Sequence, residues 1–228
     1  MLPAPESLIK KVLPDLTTSQ QHQLSTYVNL LRLYGEKINL VSRADLSRLW
    51  EYHIFPSIIA VQLTEIPPAA RLIDVGSGGG LPAIPLKIAR PDLDFLLVES
   101  SRKKSAFLKK VIREMKLSTI RVLNTRLVPD DQSFPYQQSF DMMTVRAVAA
   151  FGELLPLARM LLKPAGFLLA WKGETDLAEL KKLASTGTIG YLEYQVRDEF
   201  LPVSDKFSSL RLLKIWFEHQ PDDNGSRY

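Results

Sequence analysis

Gly76 to Gly80 contains four glycines, interrupted only by Ser77, and Leu81-Pro82 follows at once. Such a run weakens any regular element, because glycine loses more backbone freedom on folding than other residues do. Its use is contact: bare backbone can approach a ligand closely and adopt positive φ. Pro82 suits the start of a helix, where its missing N–H costs nothing, and a helix N-terminus behind the turn favours electron-rich groups. Two carboxylates flank the run. Asp74 precedes it, and Glu99 lies 19 residues beyond Gly80. Glu99 can accept hydrogen bonds from ribose hydroxyls, or else partner the N-terminus of the helix that follows.

The turn reads poorly as a dinucleotide site. A G-x-G-x-x-G count from Gly76 ends on Leu81; from Gly78 it ends on Ala83, which satisfies only the variant with alanine last. A Rossmann oxidoreductase therefore stands as an alternative. Asp74 argues against it, since a carboxylate there repels a pyrophosphate and attracts a ligand bearing a sulfonium and an ammonium. Read as D-x-G-x-G-x-G, from Asp74 through Gly76, Gly78 and Gly80, the stretch resembles the first motif of the class I S-adenosylmethionine-dependent methyltransferases. The resemblance implies S-adenosylmethionine as cofactor.

Two textures of sequence must position these residues. Up to about residue 66 the chain reads as helical. Thr17-Thr18-Ser19 offers a cap, and Leu24, Tyr27, Val28, Leu31 and Tyr34 recur at helical spacing, with Gly35 expected to end or loosen the helix. A further helical pattern holds Leu46, Leu49, Trp50 and Ile54, with Pro56 bending or restarting it. Pro67-Pro68 reads as a linker. From Arg71, apolar runs at 71–75, 94–99, 119–124, 140–145 and 166–171 alternate with helical patterns at 82–90, 102–116, 151–162 and 176–184. That alternation predicts βαβ units and a parallel sheet covered on both faces. Two last β-like runs, near 190–201 and 209–218, are expected to form an antiparallel hairpin. The expected organisation is an N-terminal helical extension over 1–66, a Rossmann-like core over 67–220 and a flexible tail over 221–228.

Composition narrows the chemistry. The chain has 228 residues, 46% of them hydrophobic and 24% charged, enough to bury a core. No apolar run is long enough to span a membrane, and no signal peptide is evident. There is no cysteine, which removes disulfides, thiolate ligands and thiol nucleophiles and suits a cytoplasmic location. His22, His53 and His219 are the only histidines and are far apart, so no metal site is expected. The net charge is +4, but residues 102–116 concentrate seven basic side chains against the one acid Glu114. That stretch is either a solvated helix face or a phosphate-contacting one.

Three longer segments carry a closer resemblance: INLVSRADLSRLWEYHIFPSI at 38–58, DVGSGGGLPAIPLKIARPDLDFLLVESSRKKSAFL at 74–108, and FDMMTVRAVAAFGELLPLARMLLKPAGFLLAWKG at 140–173. In order and in detail they are similar to the ribosomal RNA small subunit methyltransferase G family. The resemblance implies an α/β, class I methyltransferase fold, with a mostly parallel seven-stranded sheet, an antiparallel last strand and an N-terminal helical extension. It implies methylation of N7 of a guanine in bacterial 16S rRNA, with the small ribosomal subunit as partner and a monomeric enzyme.

By position, the resemblance places Gly76 and Leu81 on the donor, Leu127 and Val128 at the adenine edge, and Arg146 beside donor and substrate. Arg146 is then expected to contact guanine O6 or a phosphate, or else to pair with Asp74 or Glu99. Asn39, Arg43 and His53 cap the pocket or hold RNA; His53 is as readily a structural histidine. Lys172 ends a strand at the ligand edge, where it meets RNA phosphate or is simply solvated. The chain departs from the family pattern at Ala83, at Val145 (Ser or Thr is usual) and at Leu127-Val128 (Ala-Glu is usual). A backbone contact to adenine survives the last change; a carboxylate contact does not. A non-catalytic RNA-binding or assembly protein on the same fold is the remaining alternative. Guanine N7 has an in-plane lone pair and no proton, so methylation there needs positioning and charge handling rather than a general base. N7 is hard to reach in A-form RNA, so the base has to be unpaired or extruded.

Overall fold

A computed structural model describes residue 9 and residues 13–147, 149–195 and 210–218. Helix α1 (Thr18–Ile38) opens with a full capping box: Thr17 is the N-cap, and its side chain and that of Gln20 each take the other's backbone N–H. Leu24, Tyr27, Val28 and Leu31 form its buried stripe. Gly35 does not end the helix. It lies inside, where a Cβ would come within 2.6 Å of the Leu46 side chain, so the glycine is there for packing. The helix stops at Asn39, a left-handed cap at φ 52° whose N–H bonds to the Gly35 carbonyl.

A 3-10 turn (Arg43–Asp45), a π-helical turn (Trp50–Ile54) and the short helices α2 (Phe55–Ile58) and α3 (Ala60–Leu63) follow. The π turn is local chemistry at Pro56. Proline has no N–H to give the Tyr52 carbonyl four residues back, so the ladder is displaced there.

The second half alternates as expected. It runs β1 (Arg71–Val75), α4 (Ala83–Ala89), β2 (Asp94–Val98), α5 (Arg102–Glu114), β3 (Ile120–Leu123) and β4 (Phe140–Arg146). It continues with α6 (Phe151–Leu161), β5 (Leu162–Lys172), α7 (Glu174–Ala184), β6 (Ile189–Gln195) and β7 (Arg211–Phe217). Among the described residues, seven strands lie in the order β3-β2-β1-β4-β5-β7-β6. The pairs linking β1 to β5 are parallel; β7 is antiparallel to both its neighbours. The expected hairpin therefore exists, with its second strand inserted next to β5. The expected runs at 196–201 and 209, and the expected tail over 221–228, fall outside the described residues.

Alternate strand residues feed two apolar clusters. Leu72, Phe95, Leu97, Leu169 and Trp171 face α1, α4 and α5, while Ile73, Leu96, Val98, Leu168 and Ala170 face α6 and α7. The N-terminal helices share the first cluster with the sheet. Each such buried aliphatic side chain is worth roughly 1.5–3 kcal/mol. The order of strands reverses between β1 and β4, and their carboxyl ends open a crevice there, where ligands bind in open α/β sheets.

Candidate functional site

The glycine turn crosses the carboxyl end of β1. Gly76, Gly78 and Gly80 have φ of 70°, 54° and 91°. A side chain at Gly80 would strike Ile84, 2.5 Å away, so this glycine serves packing. Gly78 is different: a Cβ there meets nothing closer than the Gly76 carbonyl at 3.8 Å, and the open space is the crevice. Glu99, just past β2, is 7% exposed and ties the turn down, with Oε2 accepting from Gly78 N–H at 2.8 Å and Oε1 from Ser101 N–H at 2.7 Å. Ser101 is the N-cap of α5, so Glu99 serves both the turn and the helix start. Each carboxylate oxygen keeps lone-pair capacity for a further donor. Below the turn, Tyr27 of α1 donates its hydroxyl to the Gly79 carbonyl at 2.7 Å.

Asp74 is 1% exposed. Its register partner on β4, Thr144, donates to Oδ1 at 2.6 Å, while Oδ2 is buried without a hydrogen-bond partner. Burial pushes its carboxyl up to about 7, opposed by the Thr144 and Ser77 hydroxyls and reinforced by Glu99. A buried carboxylate oxygen lacking a donor suits a cationic ligand in the crevice. Val145 points to the opposite face of β4, into the second apolar cluster, so the hydroxyl it lacks is not replaced by Thr144.

A testable consequence concerns stability. The folded-state value of about 7 exceeds the unfolded value near 3.8, so folding favours the protonated form. That contribution, up to roughly 4 kcal/mol, is full below the unfolded value and is lost as pH rises through about 7. Asp74→Asn removes the buried charge. We predict that the ligand-free wild type loses thermal stability between pH 5 and 8 more steeply than this variant. Parallel melting curves for the two proteins would refute it.

Two clefts meet at Gly76. One, of about 520 Å³, lies between the ends of β1 and β2, the loop after β3 and the start of α6, with Leu127 in its wall. Val128 does not reach it: the side chain is 55% exposed. The other cleft, of about 680 Å³, brings Asn39, Arg43 and His53 of the N-terminal segment against Gly78, Leu81 and Arg146. Lys104 and Asp45 also line it.

Arg146 pairs with neither Asp74 nor Glu99. Its guanidinium donates to the carbonyls of Tyr52 and His53, at 3.2 Å for the latter. Burial lowers its pKa to about 10, with Asp45 and Tyr27 acting the other way, so it stays charged at neutral pH. Trp171, its register partner on β5, donates its indole N–H to the Pro56 carbonyl. Two strand ends thus hold the wall that carries His53. Lys172 is neither solvated nor in a cleft. It is 7% exposed, donates to the Ala149 carbonyl at 2.8 Å and to Asp176 at 3.2 Å, and lies over the Phe151 ring.

Among the described residues, no group of three or more His, Cys, Asp or Glu side chains is placed to hold a metal, and no helix is long and apolar enough to cross a membrane. Tyr27, Thr144, Asp45 and Trp171 are site residues that sequence reading passes over. Tyr27 sits in an ordinary core stripe, and Thr144 and Trp171 in apolar strands, so only the register exposes their polar ends.

Residues 20–200 match the family model described as rRNA small subunit methyltransferase G. A relative named ribosomal RNA small subunit methyltransferase G from Moorella thermoacetica is 36% identical over 169 residues, covering 74% of this chain and 70% of the relative. One of the same name from Lysinibacillus sphaericus is 32% identical over 214 residues, covering 92% and 87%. Among solved structures, a SAM-dependent methyltransferase from Aquifex aeolicus superposes with a TM-score of 0.59 at 12% identity, over 79% of this chain and 96% of that one. P. horikoshii TYW2 in complex with MeSAdo gives 0.52 at 13% identity, over 78% and 64%. At these identities the two structures establish the fold.

Proposed function

The chain belongs to the rRNA small subunit methyltransferase G family, and from that premise we propose that it transfers a methyl group from S-adenosylmethionine to N7 of a guanine in 16S rRNA, acting as a monomer in the cytoplasm on the small ribosomal subunit. The observation that carries the reading is the buried, partnerless Asp74 Oδ2 beneath a positive-φ glycine turn at the meeting of two clefts. S-adenosylmethionine supplies an electrophilic methyl on a sulfonium cation. The protein's own groups bind and orient. Asp74 offers negative charge under the turn, Glu99 offers lone pairs for hydroxyl donors, and Leu127 walls the cleft beyond β3. Gly78 leaves room for close approach of the turn backbone. Arg146 holds the wall opposite. None of these groups has to remove a proton from the nucleophile.

RNA has to be held outside the cleft as well. On α5, Arg102, Lys109 and Arg113 recur at i, i+7 and i+11 and are all exposed, forming one basic stripe that runs along the helix away from its N-terminus beside Glu99. Lys110, by contrast, pairs with Glu114 and lies over Tyr34. We predict that replacing Arg102, Lys109 and Arg113 together with alanine lowers the slope of log affinity against log salt by about 3, one per phosphate contact. An unchanged slope for binding to small subunits would remove the stripe from the RNA path.

The reading as a whole is tested by methyl transfer from labelled donor to small subunits isolated without this modification, followed by mapping of the methylated nucleotide. A 7-methylguanine in 16S rRNA is the expected product. A folded protein that transfers no label, or labels another atom, would refute it.

A further inference from the structure

The N-terminal helix reaches the glycine turn through one buried hydroxyl. Tyr27 lies in the apolar stripe of α1 and is fully buried. It donates to the Gly79 carbonyl at 2.7 Å, across 52 residues of sequence. Burial pushes the phenol well above its ordinary value, with Asp74 adding to the rise and Arg146 opposing it, so the hydroxyl keeps the proton it donates. The helix also packs on the turn. A Cβ on Gly79 would come within 3.2 Å of the Leu31 side chain and 3.4 Å of Leu40, so the side chain missing there admits the N-terminal segment.

The polar groups of the turn can be followed peptide by peptide. Gly76 N–H and Ser77 N–H both bond to the Val98 carbonyl, at 2.9 and 3.0 Å. Gly78 N–H goes to Glu99 at 2.8 Å, and Gly80 N–H to the Ser77 carbonyl at 2.6 Å. The Ser77–Gly78 peptide is therefore held at both its oxygen and its nitrogen. So is the Gly79–Gly80 peptide, by Tyr27 at one end and Ser77 at the other. Between them, neither the carbonyl nor the N–H of the Gly78–Gly79 peptide is hydrogen-bonded among the described residues. Gly78 and Gly79 both line the larger cleft. That one peptide is what the middle of the turn has left for a ligand, and the fixed peptides on either side set its direction.

We infer that Tyr27 is a positioning residue for the methyl donor: through Gly79 it fixes the turn so that the Gly78–Gly79 peptide meets the ligand, which makes the N-terminal helix part of the donor site. The hydroxyl itself touches no ligand. Gly78, Gly79 and Gly80 have no side chains to hold a peptide plane, so the plane turns over at little steric cost unless it is tied from outside. Without the hydroxyl, the Gly79 carbonyl becomes a buried acceptor lacking a donor, and it gains by turning toward the cleft and water. The ligand then binds only the fraction of molecules whose turn keeps the binding arrangement. The inference rests on the donor site placed at this turn in the function proposed above, and not on which base is methylated.

The test is titration of the full chain with S-adenosylmethionine. Tyr27→Phe keeps the ring in the core and removes only its oxygen. The donor Kd should rise about 5-fold or more, the population that one net hydrogen bond controls. In methyl transfer to small subunits that lack the modification, the rise should appear in KM for the donor rather than in kcat. Leu24→Val trims the core packing of the same helix and alters no hydrogen bond to the turn. It should lower the melting temperature and leave the donor Kd at the wild-type value. Hydrogen exchange on the wild type needs no variant and decides the matter if Tyr27→Phe does not fold. Added donor should slow the amides around Tyr27 more than those of α7, because coupling between two sites is reciprocal. An unchanged donor Kd in Tyr27→Phe overturns the inference. So does a Kd that rises equally in Leu24→Val, or exchange around Tyr27 that is indifferent to donor. A wild type that binds no S-adenosylmethionine fails differently, because it overturns the proposed function itself.

Discussion

Replacing Gly78 with arginine should abolish S-adenosylmethionine binding while leaving the protein folded. Gly78 sits at φ 54°, which already disfavours a side chain, and its missing Cβ faces open cleft rather than core. The strain of a left-handed non-glycine residue is about 1–3 kcal/mol, tolerable for a domain of ordinary stability. The added guanidinium, however, would occupy the space where the ligand meets the turn and would bring a positive charge toward Asp74. Isothermal titration should give micromolar binding for wild type and none for Gly78→Arg, a loss of at least about 4 kcal/mol if millimolar binding is the detection limit. Wild-type affinity in the variant would place the donor elsewhere. Wild-type binding would also establish that Leu127-Val128 is tolerated: Leu127 still walls the cleft, and the exposed Val128 side chain contributes nothing there.

The second large effect is expected at Arg146. Arg146→Ala strips two donors from the Tyr52 and His53 carbonyls, and at Tyr52 the proline at position 56 removes the helix's own i+4 donor as well. Losing the donors to these partly buried acceptors should cost about 2–4 kcal/mol of stability in total. Methyl transfer should fall at least about 100-fold, because the wall bearing His53 and Asp45 is hung from this side chain and small displacements in a site are expensive. Arg146→Lys should not restore activity, since a single ammonium does not reproduce the planar fork that reaches two carbonyls. Melting temperature and kcat decide it. A variant with wild-type melting and lost activity would instead make Arg146 a direct substrate contact.

The distribution of legible and illegible features follows from physics. Strand–helix alternation announced the sheet, because parallel strands buried on both faces must be continuously apolar. Asp74 and Glu99 could be placed at the carboxyl ends of β1 and β2 from the strand pattern, but their side chains are buried behind the glycine turn rather than lining either cleft. Gly35 misled because glycine has two uses, ending helices and admitting neighbours, and a single sequence does not separate them. Lys172 misled because its partners are remote in sequence or set by the fold: the Asp176 carboxylate and the Ala149 carbonyl hold its ammonium away from solvent. The pairing of Asp74 with Thr144 was out of reach altogether, because it depends on the register between strands 70 residues apart.

The insertion of β7 between β5 and β6 has a consequence in time. β7 leaves the ribosome after every other described strand, yet it belongs inside the sheet. Until it arrives, β5 presents an unpaired edge bearing Leu169 and Trp171, an invitation to wrong partners. Trp171 is also the side chain that fastens Pro56, so the N-terminal wall of the crevice cannot be locked in place until β5 has been translated and paired. Chains cut short before Arg211 leave that edge of β5 unpaired and should be recovered as aggregates rather than as weak enzymes.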